Sequence, residues 1–158
     1  MSKATSYRPE NFHSVTPHLM LDNAARTIEW YKKAFGAEEI GRNLDPSGKI
    51  MHAEVRIGDS HLFVNDVMEG KGPKEFGGSP AAFWIYVQNS DALFKRAVDA
   101  GAKVRMPLEN QFWGDRAGAI TDPEGYTWWI ATRKEHLTKA ELEQRAQEFF
   151  AKMPQPVK

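Results

Sequence analysis

The chain contains no cysteine. That excludes disulfides, thiolate nucleophiles and cysteine-held zinc, and it suits a reducing cytoplasm, where the protein is expected to reside. No run of about 18 consecutive apolar residues occurs. The opening stretch MSKATSYRPENF also lacks the apolar core of a signal peptide, so neither a membrane partner nor secretion is expected. An excess of one charge is missing too: 21 basic residues balance 21 acidic ones, leaving no net field to draw nucleic acid or an anionic membrane. A P-loop, a GxGxxG after a strand, HExxH and GxSxG are all absent. Nucleotide, zinc-protease and serine-hydrolase chemistries therefore find no support.

What the chain has instead is aromatic side chains concentrated near its end. Three of its five tryptophans lie in QFWGDRAGAITDPEGYTWWIAT, residues 111–132. Within it, Asp122-Pro123-Glu124-Gly125 has the chemistry of a tight turn: Asp bonds nearby backbone, Pro presets φ, and Gly accepts positive φ. The alternating and aromatic segments on either side predict an antiparallel hairpin.

Read in order, the chain repeats itself. A short strand over Val15–Leu21 is followed by a helix from Ala24 to Phe35, capped by Asp22 or Asn23 and ended by Gly36. Strands are predicted over 38–44, 51–57 and 61–66, with turns at Asp45-Pro46-Ser47-Gly48 and Gly58-Asp59. After a Gly- and Pro-rich stretch, a strand over Phe83–Val87, a helix over Asp91–Ala100, a short strand over Lys103–Met106 and the aromatic hairpin follow in the same sequence. Gly36 and Gly101, each ending a helix, lie about 65 residues apart. The reading is an α+β fold of two tandem βαβββ modules forming a curved mixed sheet, plus a C-terminal helix. Its parts are an N-terminal arm (1–12) with Phe12 a candidate anchor, a first module (13–66), a loop (67–81), a second module (82–133) and a C-terminal helix and tail (134–158), the modules forming one domain over 13–133. The helix opens on a capping box, Thr138 with Glu141, and carries Leu142, Ala146, Phe149 and Met153 on one stripe, stopped by Pro154. That stripe is expected to cover either the chain's own sheet or a second subunit.

The paired modules, the first helix IEWYKKAFGAE, the turn IGDSHLFV and the closing WGDRAG…DPEGYTWWIAT resemble the vicinal oxygen chelate superfamily, which includes glyoxalase I, extradiol dioxygenases and the bleomycin and fosfomycin resistance proteins. The likeness is greatest to its PhnB-like branch and covers about residues 15–132. It implies sheets curving into a U-shaped cleft, commonly completed by dimerisation, so a homodimer is expected. Metal-dependent members of the family place His or Glu ligands on the first and last strands of each module. In this sequence those places fall near Thr16 or His18, on Phe63, near Ala82 and on Trp129. Only His18 can ligate a metal, and one imidazole does not hold a catalytic ion.

Three residues offer a displaced metal site. His52 and Glu54, at i and i+2 on one strand, share a face with Arg56, and with His18 they form a possible two-His-one-carboxylate set. The plainer reading of His52, Glu54 and Arg56 is a polar strand face with a local ion pair. His13, His61 and His136 lie at element ends and are expected to be solvated. Asp115 and Arg116 are strand neighbours, so one faces the cleft and the other does not. Trp84 and Tyr86 share a strand face, whereas Trp128 and Trp129 point opposite ways. The expected cleft residues are therefore His18, His52, Glu54, Trp84, Tyr86, Trp113, Asp115, Arg116 and Trp129. They point first to binding of a small aromatic or amphipathic molecule with no cofactor. A metal-dependent lyase, isomerase or dioxygenase is the alternative, and a dimeric scaffold without ligand the second alternative. Whether the protein is an enzyme stays open at this point.

Overall fold

Strand alternation and helix capping sort the chain into eight strands and three α-helices in a computed structural model, which describes residues 6–153. The first module is β1 (His18–Leu21), α1 (Ala24–Phe35), β2 (Glu38–Leu44), β3 (Ile50–Ile57) and β4 (Ser60–Asp66); the second is β5 (Ala82–Tyr86), α2 (Ser90–Asp99), β6 (Lys103–Asn110), β7 (Asp115–Thr121) and β8 (Thr127–Arg133). Each module closes a four-stranded mixed sheet, ordered β1-β4-β3-β2 and β5-β8-β7-β6. In both, the first strand runs parallel to the last, with His18 opposite Phe63 and Trp84 opposite Trp129. The two sheets are thus copies of one topology.

Local chemistry explains most boundaries. Asn23 caps α1 by accepting from the Arg26 N–H at 2.9 Å, and Asn89 caps α2 by accepting from the Ala92 N–H at 3.0 Å. The first strand is shorter than the sequence predicts, beginning after Pro17, whose carbonyl accepts from the Phe63 N–H at 2.9 Å. β6 is longer than predicted. It continues through Pro107 because it is an edge strand whose register shifts between Val104 and Met106 and again between Met106 and Glu109, places where a missing N–H breaks no ladder. Within the 67–81 loop, Pro73–Phe76 forms a single 3₁₀ turn.

The modules are joined through their helix layer. Tyr31 and Phe35 of α1 pack on Trp128 of β8, with ring centroids 5.5 and 5.0 Å apart. The Trp30 indole N–H donates to the Ala100 carbonyl at 2.9 Å, and the Arg96 guanidinium donates to the carbonyls of Lys32 and Lys33 at the end of α1. The DPEG turn does more than reverse the chain. Asp122 accepts from the Tyr31 hydroxyl and the Trp128 indole, while fully buried Glu124 accepts from the Thr27 hydroxyl at 2.8 Å and the Asp22 N–H at 2.9 Å. Burial holds the Tyr31 phenol well above its ordinary pKa, and the Asp122 carboxylate pushes it further the same way.

α3 (Lys139–Ala151) carries the predicted capping box, with Thr138 and Glu141 each bonding the other's backbone N–H. Phe149 packs against Phe112 with tilted rings 4.8 Å apart, yet no residue of α3 is buried, and Leu142, Phe150 and Met153 stay exposed. The stripe therefore touches its own chain without being covered by it. Pro154 lies outside the described residues. None of the described helices is long and apolar enough to cross a membrane.

One ion network on β2 sets an acid limit. The Arg42 guanidinium, with help from Lys32, holds the Glu39 carboxyl down at about 2. A depressed carboxyl pKa contributes stability that is present above the unfolded value of 4.5 and lost as pH falls through about 2. Glu39→Gln is expected to flatten the urea-stability profile between about pH 5 and 2, removing on the order of 2 kcal/mol of its acid limb. An unchanged profile would contradict this assignment.

Candidate ligand-binding site

Strand alternation divides each sheet into a helix-facing side and an open side. On the second sheet, Trp128 turns toward the helices and Trp129 to the open side, as the sequence predicts. There Trp129 lies nearly parallel to Trp84, with centroids 4.8 Å apart and planes 8° apart, and Trp113 meets both edge-on at 6.4 and 6.3 Å. Asp115, 5 % exposed, accepts from the Tyr86 hydroxyl at 2.8 Å and the Trp113 indole at 3.1 Å. Local desolvation, and then this carboxylate, raise the Tyr86 phenol above its ordinary pKa. One buried carboxylate thereby fixes two aromatic side chains around the stacked indoles.

Arg116 does not belong to this group. Alternation sends it to the helix side, where it clasps Asp91 of α2 through two hydrogen bonds of 2.8 and 2.6 Å. That clasp holds the Asp91 carboxyl below its ordinary pKa. Arg116 is thus a helix-to-sheet fastener, a correction to its expected place in the cleft.

On the first sheet, His18, Phe63 and Glu54 form one row across β1, β4 and β3. Phe63 stands between the other two, and His52 rests against it with ring centroids 4.7 Å apart. His18 and Glu54 are then two strand spacings apart, about 10 Å between backbones. His18 Nε2 lies 2.5 Å from Asn65 Oδ1, an acceptor, so this nitrogen carries the proton. Glu54 is engaged elsewhere: its carboxylate accepts from His61 Nδ1 at 2.7 Å. Arg56 pairs with Glu38 at 2.5 Å. His18, His52 and Glu54 therefore surround Phe63 instead of converging on a common point.

His61 is not solvated, contrary to its expected place at a strand end. Its side chain is only 12 % exposed, and Phe12 stacks on it at 4.5 Å while also meeting Phe63 at 5.7 Å. The signal was present in the two-residue turn Gly58-Asp59. That turn pairs Ile57 with Ser60, hence Arg56 with His61, which puts His61 diagonal to Glu54 on one face.

A cavity of about 620 Å³ opens at the seam between modules, bounded by residues 13–17, the β3–β4 turn and the free edge of β5. Trp84, Tyr86 and His61 line it; His18, His52, Glu54, Trp113, Asp115, Arg116 and Trp129 do not. A second cavity, about 770 Å³, lies between the 74–80 loop and the β7–β8 turn, beside Lys103 and Arg105 of β6. It is larger but no tryptophan lines it, and its Arg105 already donates to the Thr127 hydroxyl at 2.8 Å. The seam cavity is the better candidate.

Residues 12–130 match the profile of the Glyoxalase/Bleomycin resistance protein/Dioxygenase superfamily. The chain belongs to that superfamily. A relative in Mycobacterium tuberculosis, the uncharacterized protein Rv0887c, is 39 % identical over 136 residues, spanning 82 % of this chain and 80 % of its own. The crystal structure of TioX from Micromonospora sp. ML1 superposes with a TM-score of 0.63 at 25 % identity, covering 77 % of this chain and 98 % of TioX. A PhnB protein from Bacillus cereus shares the fold at a TM-score of 0.59 and 14 % identity, over 76 % of this chain and 99 % of its own.

Superfamily members that use a metal ligate it from the first and last strands of both modules, and the resemblance, taken with the pairing register, implies the corresponding places here. They are His18 with Phe63 and Trp84 with Trp129, because Ala82 pairs with Thr127. On that register Trp84, two residues beyond Ala82, is the parallel partner of Trp129. A phenyl ring has no donor atom, an indole only an N–H, and the His18 nitrogen facing Asn65 carries a proton. Among the described residues no group of three His, Cys, Asp or Glu side chains could hold a metal ion. The residues present do not fit the metal used elsewhere in the superfamily.

Proposed function

We propose that this superfamily member binds a small aromatic or amphipathic molecule at the seam between its modules, without a metal, as a cytoplasmic homodimer of the PhnB-like branch. The observation that carries the reading is the Trp84–Trp129 stack, which fills two positions that metal-using relatives reserve for ligands. Trp84 is 41 % exposed and lines the seam cavity, so a flat ring can extend the stack already begun by Trp129. An open cavity beside such a platform argues against a scaffold that binds nothing. The motifs that carry the resemblance, WGDRAG and DPEGYTWWIAT, support the branch, and the uncovered apolar residues of α3 support a second subunit.

4-Nitroanisole, a flat neutral aromatic, is the probe. It is expected to quench tryptophan fluorescence saturably and to raise the melting temperature. Trp84→Ala, on an edge strand, is expected to weaken this binding about ten- to hundredfold while the protein stays folded. Arg116→Gln, on the helix side, is expected to leave it unchanged. Equal affinity in wild type and Trp84→Ala, or a stoichiometric divalent ion in the purified protein, would overturn the proposal.

A further inference from the structure

The seam cavity brings together two groups that sequence reading kept apart: an aromatic wall from the second module and an imidazole from the first. His61 is held on three sides. Glu54 accepts its Nδ1 proton at 2.7 Å, Phe12 stacks on its ring, and β4 supplies its backbone. A carboxylate cannot donate when ionised, so the proton of the neutral imidazole resides on Nδ1, and Nε2 keeps a lone pair. Nε2 has no protein partner among the described residues, yet it is not one of the sealed, unpartnered atoms, so solvent reaches it. An imidazole oriented by a carboxylate, with its other nitrogen free beside a cavity, has the arrangement of a general base.

We infer that His61, positioned by Glu54, is the proton acceptor for a ligand in the seam cavity, and that the ligand is a flat aromatic carrying a weakly acidic hydroxyl: a phenol or an enol. The inference rests on the proposed binding of an aromatic at this seam. The ligand O–H bond breaks, its electron pair stays on oxygen, and the proton forms an Nε2–H bond. Imidazolium and phenolate then face each other, and the Glu54 carboxylate stabilises the cation from the far side of the ring. The other ionisable groups about His61 are Arg56, opposite it on β3 and paired with Glu38, and Asp59, His13 and Tyr86 around the cavity. The Tyr86 hydroxyl is turned to Asp115, and of the two imidazoles lining the cavity, His13 and His61, it is His61 that a carboxylate holds in place.

4-Nitrophenol tests this, because its phenolate absorbs in the visible and its methyl ether, 4-nitroanisole, has nearly the same shape without the acidic proton. In the wild type, the bound phenol is expected to ionise about one pH unit or more below the free compound, a tenfold gain in the phenolate to phenol ratio. His61→Gln is expected to abolish that shift while 4-nitroanisole still binds saturably, which also reports that it folds. Glu54→Gln, a change to the positioning residue, is expected to shrink the shift without changing 4-nitroanisole affinity. A shift that persists in both variants, or 4-nitroanisole binding with no shift in the wild type, overturns the role of His61 and leaves the aromatic site standing. If neither compound binds, both readings fall.

Discussion

Asp122→Ala is expected to cost about 3–5 kcal/mol of folding stability, enough to leave the chain largely unfolded at ordinary temperatures. Asp122 is 4 % exposed and accepts four hydrogen bonds. Its Oδ2 takes the Tyr31 hydroxyl at 2.8 Å and the Trp128 indole at 2.9 Å; its Oδ1 takes the backbone N–H groups of Glu124 and Tyr126 at 2.9 and 3.0 Å. Alanine would strand all four donors in the interior, and one of them, the Tyr31 hydroxyl, ties the first module to the second. Burial raises the Asp122 carboxyl above its ordinary pKa in spite of these donors. A raised folded-state pKa contributes stability that is complete below the unfolded carboxyl pKa and lost as pH rises through the folded one. Asp122→Asn removes that pH dependence but replaces one acceptor oxygen by a donor, so it is expected to cost less than alanine, about 1–2 kcal/mol at neutral pH. Urea unfolding of the two variants decides: a loss below about 1 kcal/mol for alanine would mean the network contributes little.

Gly118→Val is the second substitution with a large expected effect. Gly118 lies in the middle of β7, where a Cβ would sit 2.7 Å from Phe94 Cε2 and 2.8 and 2.9 Å from the Leu108 Cα and N. An aromatic edge can rotate away, but backbone atoms of a paired strand cannot. A branched side chain therefore has to push β6 off β7 or lift α2 from the sheet. The expected loss is about 3 kcal/mol, with Gly118→Ala smaller but of the same sign. The denaturant midpoint measures it, and a native-like midpoint for valine would show that β6 yields freely. The Trp84–Trp129 platform occupies the opposite face, so 4-nitroanisole affinity of the remaining folded protein is expected to be unchanged.

Elements whose signals are local were legible in the chain. Asn23 and Asn89 at helix starts, Thr138 with Glu141, and the DPEG and Gly58-Asp59 turns all act within about four residues, a range over which side-chain chemistry dictates geometry. Where propensity met pairing, pairing prevailed. Pro107 should end a strand, yet β6 passes through it because an edge strand has an unpaired side. Face assignments also held: Trp128 and Trp129 diverge, and Asp115 and Arg116 diverge, as the two-residue period of a strand requires. Which member of the second pair takes the open face was not legible, since that depends on where α2 lies.

The candidate site was less legible because its parts meet across long sequence separations. Glu124 has the sequence setting of a turn residue, but its carboxylate is buried against Thr27, 97 positions earlier in the chain. His61 sits at a strand end where sequence predicts solvent, but Phe12 returns over the sheet and Glu54 reaches across from β3 to cover it. The place of Trp84 among the four inward positions depended on parallel register, to which no single turn contributes.

By itself, then, the sequence determined the two βαβββ modules, their capped helices, their turns and the surplus of aromatic side chains at the chain's end, because those features follow from contacts between near neighbours. Tertiary structure alone decided that Asp122 and Glu124 lock the modules together, that Trp84 and Trp129 stack face to face, that Arg116 faces away, and that Glu54 bonds His61 beside the seam. Each of these is a pairing whose energy is realised only when distant segments are brought together and shielded from water, and no local pattern encodes which segments those will be.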